Sequence, residues 1–506
     1  MAAGAQGAGL IYNLALSIVR LGGSVGEVLQ SAEVQSAGIG KRRGIQRTVL
    51  GAASLGRVAA ALAGLAASLA MVAGCGNTYR PVVSAIAVVG PAAQPTKYAV
   101  AVSSPGPNSN GLVTMVDFSG DTVLSTAELG VNPYYFALNT NGSTGGYTLN
   151  SDKTVTSFEI STQFLITSNV LNTTLLAGAN PSSLYAASNT TFIADPGVNA
   201  FDQLLGMPPA LKQELPVATG YSPVYVVGQQ AASRIYGISQ STSGGPGQVE
   251  AIENATSLTA SPTISTTLPV GRGPVYGVMT LDTRRAFILN QTDGTVSVIN
   301  AQTNALDTPV TTIPVGVRPV WADLASGLNE LVVLNQGTGT SNGSVTLVNI
   351  PLCTATALPT NPNCNPINPI DATQFGTVVA TIPVGVNPIM VSVLSDYSRA
   401  YVANAGTGLR CVTKDPVTGV WANPVAGVSE LCTISVVNLT TETVTATIPI
   451  NGHPAWIATT NATPTGKVYV VCKDLQVMTV IETDTDTVDT TIPLQGYGVS
   501  VRMTQP

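Results

Sequence analysis

The residues whose types and spacing could support chemistry surround one recurring motif. A threonine-rich stretch is followed by an apolar residue, a glycine, two variable residues and a proline, as in Val315-Gly316…Pro319. Five of seven copies have an aromatic residue two positions after the proline, although aromatic residues make up only 5% of the chain. These residues are Tyr135, Tyr225, Tyr276, Trp321 and Trp456. Aromatic faces can stack on sugars, nucleobases or peptide segments.

The variable residues of the same motif are mostly polar. The residue before the proline is Asn132, Arg318, Asn387 or His453 in four copies, and Arg272 lies one position earlier in its own copy. Amide and guanidinium groups can donate hydrogen bonds beside an aromatic face. If the copies converge in the fold, the sequence predicts a polar and aromatic ligand site.

Groups typical of catalysis are scarce. The chain has one histidine, His453, which excludes a histidine-rich zinc site within one chain. No haem-attachment motif, Walker loop or nucleophile elbow is present, and the acidic residues form no evident pair. We therefore predict no catalytic residue, no metal and no cofactor, and we favour a protein that is not an enzyme.

The motif recurs at intervals of roughly 40–70 residues, which is typical of a repeat architecture. In the unit after Pro274, the segments VYGVMTL, RAFILN, TVSVIN and VTTIPVG are predicted strands. Asp293-Gly294 between the second and third predicts a tight hairpin. Four antiparallel strands per repeat predict an all-β fold, a single β-propeller of four-stranded blades.

The number of fourth strands predicts eight blades, and seven remain possible because residues 181–217 depart from the pattern. The segment Gly498–Met503 is predicted to be the strand that completes the first blade and closes the ring. Val82–Val89 is the alternative for that strand. Closure would remove the exposed strand edges that promote aggregation.

Tyr401-Val402-Ala403-Asn404, together with the repeated IPVG…P segment, resembles the YVTN family of YncE-like β-propeller repeats. These repeats occur in secreted bacterial and archaeal proteins, and the resemblance covers most of residues 80–506. In a propeller, the loop before the innermost strand lies at the mouth of the central channel. The motif residues would then form a ligand platform there. Packing between blades remains the alternative for the aromatic residues, and simple solvation the alternative for the polar ones.

The first 75 residues have the pattern of an export signal. Lys41, Arg42 and Arg43 precede an apolar run that ends at Cys75, and the ending resembles a bacterial lipobox. We predict an N-terminal extension or mispredicted start over 1–40, a lipoprotein signal over 41–75, a linker or first strand over 76–96 and the propeller over 97–506. An ordinary signal peptide or a membrane anchor is the alternative. A lipid on Cys75 would place the protein in the bacterial cell envelope, facing the periplasm or the exterior.

The remaining cysteines agree with an oxidising compartment. Cys353 and Cys364 bracket one insertion, and Cys411 and Cys432 bracket another, so each pair could form a local disulfide. Four unpaired thiols are the alternative. Cys472 lies in an apolar strand pattern and is predicted to be a buried thiol.

The charge of the chain also limits the range of possible functions. The net charge of -6 and the pI of about 4.9 argue mildly against a broad nucleic-acid surface. We predict a monomeric envelope binding or scaffold lipoprotein, whose partners are the membrane, through its lipid, and an unknown small ligand, glycan or envelope protein. A lactonase-type hydrolase using Arg272, Arg318 and His453, or a single-stranded nucleic-acid binder, is the alternative.

Overall fold

A computed structural model describes the part of the chain that carries the repeats. It covers residues 97–139, 145–160, 170–187, 190–230, 232–257, 259–353, 361–365, 367, 371–408, 411, 413–414, 421–422, 432–460 and 466–504. The predicted export signal, Cys75 and Val82–Val89 lie outside these ranges. Within them, the fold is an all-β propeller of eight four-stranded antiparallel blades. The same ranges contain no helix with the length and apolar character needed to cross a membrane.

The strands follow one another blade by blade. Blades 1 and 2 contain β1 (Tyr98–Ser104), β2 (Asn110–Asp117), β3 (Thr122–Val131), β4 (Pro133–Leu138), β5 (Gly145–Asn150), β6 (Thr154–Glu159) and β7 (Leu171–Thr174). Blades 3 and 4 contain β8 (Ser183–Ala187), β9 (Thr190–Asp195), β10 (Ala200–Leu205), β11 (Ala210–Pro216), β12 (Tyr221–Val227), β13 (Ile235–Ser241), β14 (Pro246–Glu253) and β15 (Thr263–Arg272). Blade 3 is therefore a regular blade, although its sequence departs most from the repeat.

Blades 5 and 6 contain β16 (Pro274–Met279), β17 (Arg285–Asn290), β18 (Thr295–Asn300), β19 (Ala305–Leu306), β20 (Thr312–Pro314), β21 (Pro319–Ala325), β22 (Glu330–Asn335), β23 (Asn342–Asn349) and β24 (Val378–Val386). Blade 7 contains β25 (Pro388–Val393), β26 (Arg399–Asn404), β29 (Cys432–Asn438) and β30 (Thr443–Ile450), with a side hairpin of β27 (Thr413–Lys414) and β28 (Trp421–Ala422). Blade 8 contains β31 (Pro454–Thr459), β32 (Lys467–Cys472), β33 (Val477–Glu482) and β34 (Thr487–Pro493), and β35 (Tyr497–Met503) returns to blade 1.

The C-terminal strand closes the ring, as the sequence predicts. β35 pairs antiparallel with β1, for example Ala101 opposite Val501, and blade 1 has the order β3-β2-β1-β35. β35 is thus the innermost strand of blade 1, in the position that β4, β8, β12, β16, β21, β25 and β31 hold in the other blades. Every described strand lies within residues 98–503, so this part of the chain forms a complete ring.

The repeated glycine is explained by a side chain from the second strand of the following blade. Asn404 donates from Nδ2 to Thr433 Oγ1 at 3.1 Å and to Ser435 Oγ at 2.9 Å. Its amide lies so close to the motif glycine that a Cβ on Gly385 would be 2.5 Å from Asn404 Cγ. Any larger residue would displace the asparagine and its hydrogen bonds. The same arrangement joins Asn150 to Gly130, Asn290 to Gly271 and Asn335 to Gly316.

The motif proline packs on the preceding blade. A Cβ on Gly343, in the third strand of blade 6, would be 2.3 Å from Cγ of Pro388, the first residue of blade 7. Gly111 and Gly247 meet Pro133 and Pro274 in the same way. The recurring segment is therefore a joint between blades, which is the physical reason for its repetition.

The YVAN tyrosine forms a second joint. Tyr401 Oη donates to Asp486 Oδ1 at 2.6 Å, and Arg399 forms an ion pair with the same carboxylate, which belongs to blade 8. Tyr469 of blade 8 donates to Asp121 of blade 1 at 3.0 Å, so this joint also crosses the closure. The apolar side chains of the second strands complete the blade-to-blade packing, because β17 and β32 are buried on both faces.

The outer strand of blade 5 differs from the prediction. The sequence predicts a continuous strand over VTTIPVG, residues 310–316, whereas only Thr312–Pro314 of this segment forms a strand, β20. The short strand β19 precedes the segment. Asp307 turns inward between β19 and β20 to form a buried ion pair with Arg285 at 2.7 Å. Pro309 has no N–H to donate to a strand neighbour, which also interrupts the ladder.

Both bracketed insertions are joined by disulfides in the structure. Cys353 bonds to Cys364 and Cys411 bonds to Cys432, with Cα–Cα distances of 5.5 and 5.4 Å. Cys472 is a buried free thiol, and burial raises its pKa above the ordinary value. A protonated, covered thiol of this kind behaves as a small apolar core residue.

Candidate functional site

A β-bulge precedes the repeated aromatic position on the innermost strands. In blades 2, 4, 5, 6, 7 and 8 the register with the second strand shifts between the motif proline and the residue two positions later, as between Pro319 and Trp321. A bulge bends its strand and re-aims a side chain. The same β-bulge thus orients the side chain at the same repeat position in six blades.

The five aromatic residues form one cluster, here called the channel aromatic cluster. Tyr276 stacks on Trp321 with ring centroids 4.1 Å apart, and Tyr225 lies 4.8 Å from Tyr276. Trp321 of blade 6 meets Trp456 of blade 8 edge-on at 5.2 Å, past the intervening blade 7. The contact between non-adjacent blades indicates that these side chains meet around the central channel. They also pack on the blade cores, in agreement with the packing alternative, while the ligand platform stays a prediction.

The tyrosine hydroxyls of the cluster share one electrostatic environment. Burial raises the pKa of Tyr135, Tyr225 and Tyr276, and at Tyr225 the neighbouring hydroxyls of the other two add to the effect. The positive charge of Arg502 opposes the shift at all three. The phenols are therefore protonated hydrogen-bond donors. At Tyr276 the negative charge of Asp323 also raises the pKa, and its effect is larger than that of Arg502.

Arg502 comes from the closing strand β35. Its guanidinium carbon lies 4.2 Å from the ring centroid of Trp456, which is a close cation–π contact. The Nε atom is buried and has no hydrogen-bond partner, and no ion pair within the described ranges involves this arginine. The indole Nε1 of Trp456 is likewise buried without a partner. Two donors in contacting groups are therefore unused by the protein.

Asp323 supplies the negative charge of the same region. Its carboxylate accepts from the backbone N–H of Leu324 at 2.8 Å and from that of Val393 at 2.9 Å, which links blades 6 and 7. Burial raises its pKa to about 6, although these hydrogen bonds and the charge of Arg502 act in the opposite direction. The aspartate is held in place by backbone contacts and not by the arginine.

Two cavities adjoin the cluster. One, of about 270 Å³, is lined by Tyr276, Trp321, Asp323, Trp456 and Arg502, among others. The second, of about 460 Å³, shares Tyr276 and Asp323 with the first. Both extend along residues that follow the aromatic positions on the inner strands. They therefore lie toward the end of the channel where the inner strands finish, away from the motif loops.

The amides and arginines of the motif loops lie elsewhere. Asn132 accepts from Ser104 at 2.8 Å, and Asn387 accepts from Gln336 and donates to Gly406. Arg272 is 52% exposed and forms an ion pair with Asp293 at 2.6 Å, and Arg318 is exposed beside a surface cleft. None of these residues lines either channel cavity.

His453 has a mainly structural environment. It is 5% exposed, its backbone N–H donates to Asp474 at 2.7 Å, and its Nδ1 lies 3.3 Å from the carbonyl of Pro454. Burial, and then the charge of Lys473, lower its pKa, so the ring is neutral at physiological pH. It does not line the channel cavities either. The structure thus brings the five aromatic residues together and does not bring Arg272, Arg318 and His453 to them.

Sequence reasoning missed Arg502 and Asp323. Aligning Ile492-Pro493 with Ile382-Pro383 places Gly498 where other blades have the motif proline. Arg502 then falls four residues after that position, as Asp323 does after Pro319. The signal is therefore present in the sequence, but only once β35 is recognised as an inner strand that lacks its proline.

The comparisons with known proteins bear on the fold alone. No family model matches the chain, and no curated protein matches its sequence. Among solved structures, a candidate 6-phosphogluconolactonase from Bacteroides fragilis is similar with 14% identity and a TM-score of 0.50, over 82% of this chain and 100% of that one. The dihydro-heme d1 dehydrogenase NirN is similar with 14% identity and a TM-score of 0.54, over 81% and 75% of the chains. No group of three or more His, Cys, Asp or Glu residues in the described ranges could hold a metal ion.

Proposed function

We propose that this eight-bladed propeller is a non-enzymatic binding protein whose ligand site is the central channel. One observation carries the proposal: the channel aromatic cluster borders a cavity of about 270 Å³ that Arg502 also lines. Aromatic surface together with a few charged groups is typical of small-molecule sites. No ion pair within the described ranges engages Arg502, so a ligand could pair with it.

We further propose that the protein is a YVTN-type, YncE-like envelope lipoprotein. The support is the basic and apolar pattern that ends at Cys75, together with the YVAN and IPVG…P repeats. The two disulfides are compatible with an exported protein, because such bonds persist in oxidising compartments. The lipid would hold the ring at a membrane surface, where an envelope protein or glycan could reach it.

The anchor is tested by replacing the proposed lipidated cysteine. A bacterial cell that produces the full chain should incorporate radiolabelled palmitate into it and retain it in the membrane fraction. Cys75→Ser is expected to abolish the label, because the sulfur of Cys75 is the proposed attachment point of the lipid, while Cys472→Ser should keep it. A wild-type chain without label, or a label that survives Cys75→Ser, would contradict the proposal.

The binding function is tested by tryptophan fluorescence of residues 76–506, which include the complete ring. Oligosaccharides, short single-stranded DNA, sugar lactones and organic acids are titrated separately. One class is expected to quench the emission saturably, and Trp321→Phe combined with Trp456→Phe should remove most of the response. Trp421 lies in the side hairpin and serves as the background fluorophore.

The same titration separates the alternatives. A lactonase would consume the lactones, and that turnover would be lost in His453→Ala. A nucleic-acid binder would show an affinity that falls steeply as salt rises. If none of these ligand classes changes the tryptophan emission, the binding proposal is overturned. Protein partners of an envelope scaffold would then be sought.

A further inference from the structure

Arg502 is the arginine that lines the channel cavity. The ion pairs within the described ranges occupy other arginines, such as Arg234, Arg285 and Arg399, but not this one. Within the described ranges, the buried Nε lacks a hydrogen-bond partner and the guanidinium lies against the face of Trp456. A partly desolvated guanidinium is costly without an anion, so its retention in a ring with few charges indicates a ligand that supplies one.

Asp323 limits the charge of that ligand. It borders the same cavity and acts electrostatically on Arg502, yet it forms no ion pair with it. Its carboxylate keeps its charge while it accepts two backbone N–H groups, and Lys97 and Arg502 are cations of the same cavity lining. The lining therefore combines two cationic side chains with one carboxylate. A ligand with a single negative charge balances this lining better than a phosphate dianion does.

The side chains that line the cavity indicate the chemistry of the uncharged part of the ligand. Tyr276, Trp321 and Trp456 line the cavity with aromatic surface, and Met390 adds a flexible apolar side chain. Such walls favour a flat or apolar body, because aromatic stacking and apolar burial stabilise it. Guanidinium and carboxylate groups match in a planar, two-point geometry.

We propose that the channel binds a small organic monocarboxylate, with its carboxylate on Arg502 and its apolar body against Trp321, Trp456 and Tyr276. The inference rests on the proposed binding function and names the ligand class of that site. Arg502 is the specificity-determining residue, and it acts from β35, the strand that also closes the ring.

The test compares charged and neutral ligands of one shape. Benzoate and benzamide are titrated into residues 76–506 by calorimetry and by tryptophan fluorescence, with inorganic phosphate as a third probe. Benzoate is expected to bind at least about 10-fold more tightly than benzamide, because a hydrogen bond to a charged group contributes about 1.5–3 kcal/mol. Phosphate is expected to bind weakly or not at all.

Two variants assign the effect to the arginine. Arg502→Gln is expected to weaken benzoate binding by at least about 10-fold and to leave benzamide binding nearly unchanged. Arg318→Gln is the matched control, since this exposed arginine does not line the channel cavities, and it should bind benzoate like the wild type. Unchanged melting temperatures would show that both variants fold.

The outcomes also separate this proposal from the one before it. Equal affinities for benzoate and benzamide, or benzoate binding that survives Arg502→Gln, would overturn the carboxylate assignment. If oligosaccharides quench the tryptophans while no carboxylate does, the ligand class is wrong and the binding function remains. If neither series binds, both proposals fail.

Discussion

Deletion of β35 is expected to abolish cooperative folding of the ring. This strand is the innermost of blade 1, and its loss would expose β1, all seven residues of which are buried. An unpaired apolar strand of this kind is a template for aggregation. A chain ending at Leu494 should therefore lack the sharp thermal transition and the near-ultraviolet circular dichroism of the full ring.

Two controls distinguish ring closure from simple shortening. Removing only Gln505 and Pro506 should leave the transition intact, because β35 ends at Met503. Adding a peptide of residues 495–506 to the truncated chain should restore part of the transition, since β35 contacts the remainder through pairing and packing. A chain ending at Leu494 that melts like the full ring would show that closure is dispensable.

The sequence predicts the blades well because each one repeats the same local signals. The glycine that makes room for an asparagine and the proline that packs on a glycine of the preceding blade recur in successive repeats, and the Asp293-Gly294 turn lies within one repeat. Because the same residue types join each blade to its neighbours, their spacing along the chain predicts the blades. The irregular sequence of blade 3 still forms a blade, because its neighbours on both sides require a packed face there. Context overrides local preference in this case.

The candidate site is less predictable because it depends on which blades face each other. Spacing identifies the aromatic positions, but the edge-on contact of Trp321 with Trp456 requires strands 135 residues apart to meet around one channel. The loop arginines illustrate the opposite case. Arg272 lies next to the motif proline in sequence, yet Asp293 in the following blade pairs with it at the surface. Proximity along the chain does not establish a shared site.

A buried acidic residue in blade 3 predicts a pH-dependent stability. Asp202 is 0% exposed, and neither of its carboxylate oxygens accepts a hydrogen bond from a group in the described ranges. Burial raises its pKa to about 7, and the charges of Asp195 and Glu214 add to the shift. In the unfolded chain an aspartate titrates near about 3.9. The folded state therefore binds a proton that the unfolded state releases across the interval between these values.

Because of this pKa difference, Asp202 makes the folded state less stable as the pH rises. The contribution of protonated Asp202 to stability is complete below about pH 3.9 and is lost progressively as the pH rises through about 7. Asp202→Asn replaces the titrating carboxyl group with an amide of the same shape. That amide could donate to the unpartnered Oδ2 of Asp195. At about pH 8 the variant should be more stable than the wild type by about 2–4 kcal/mol, and the gain should shrink toward about pH 5.

Urea denaturation at both pH values measures the effect. Asp293→Asn is the matched control, because hydrogen bonding to the backbone N–H of Arg272 lowers the pKa of Asp293, so neutralising it should not stabilise the ring at about pH 8. Burial also raises the pKa of Glu250 and of Glu330 to about 7, so the Asp202→Asn variant should still lose some stability with rising pH. An Asp202→Asn ring that unfolds at lower urea than the wild type at about pH 8 would show that the Asp202 carboxylate stabilises the folded state there, contrary to its raised pKa.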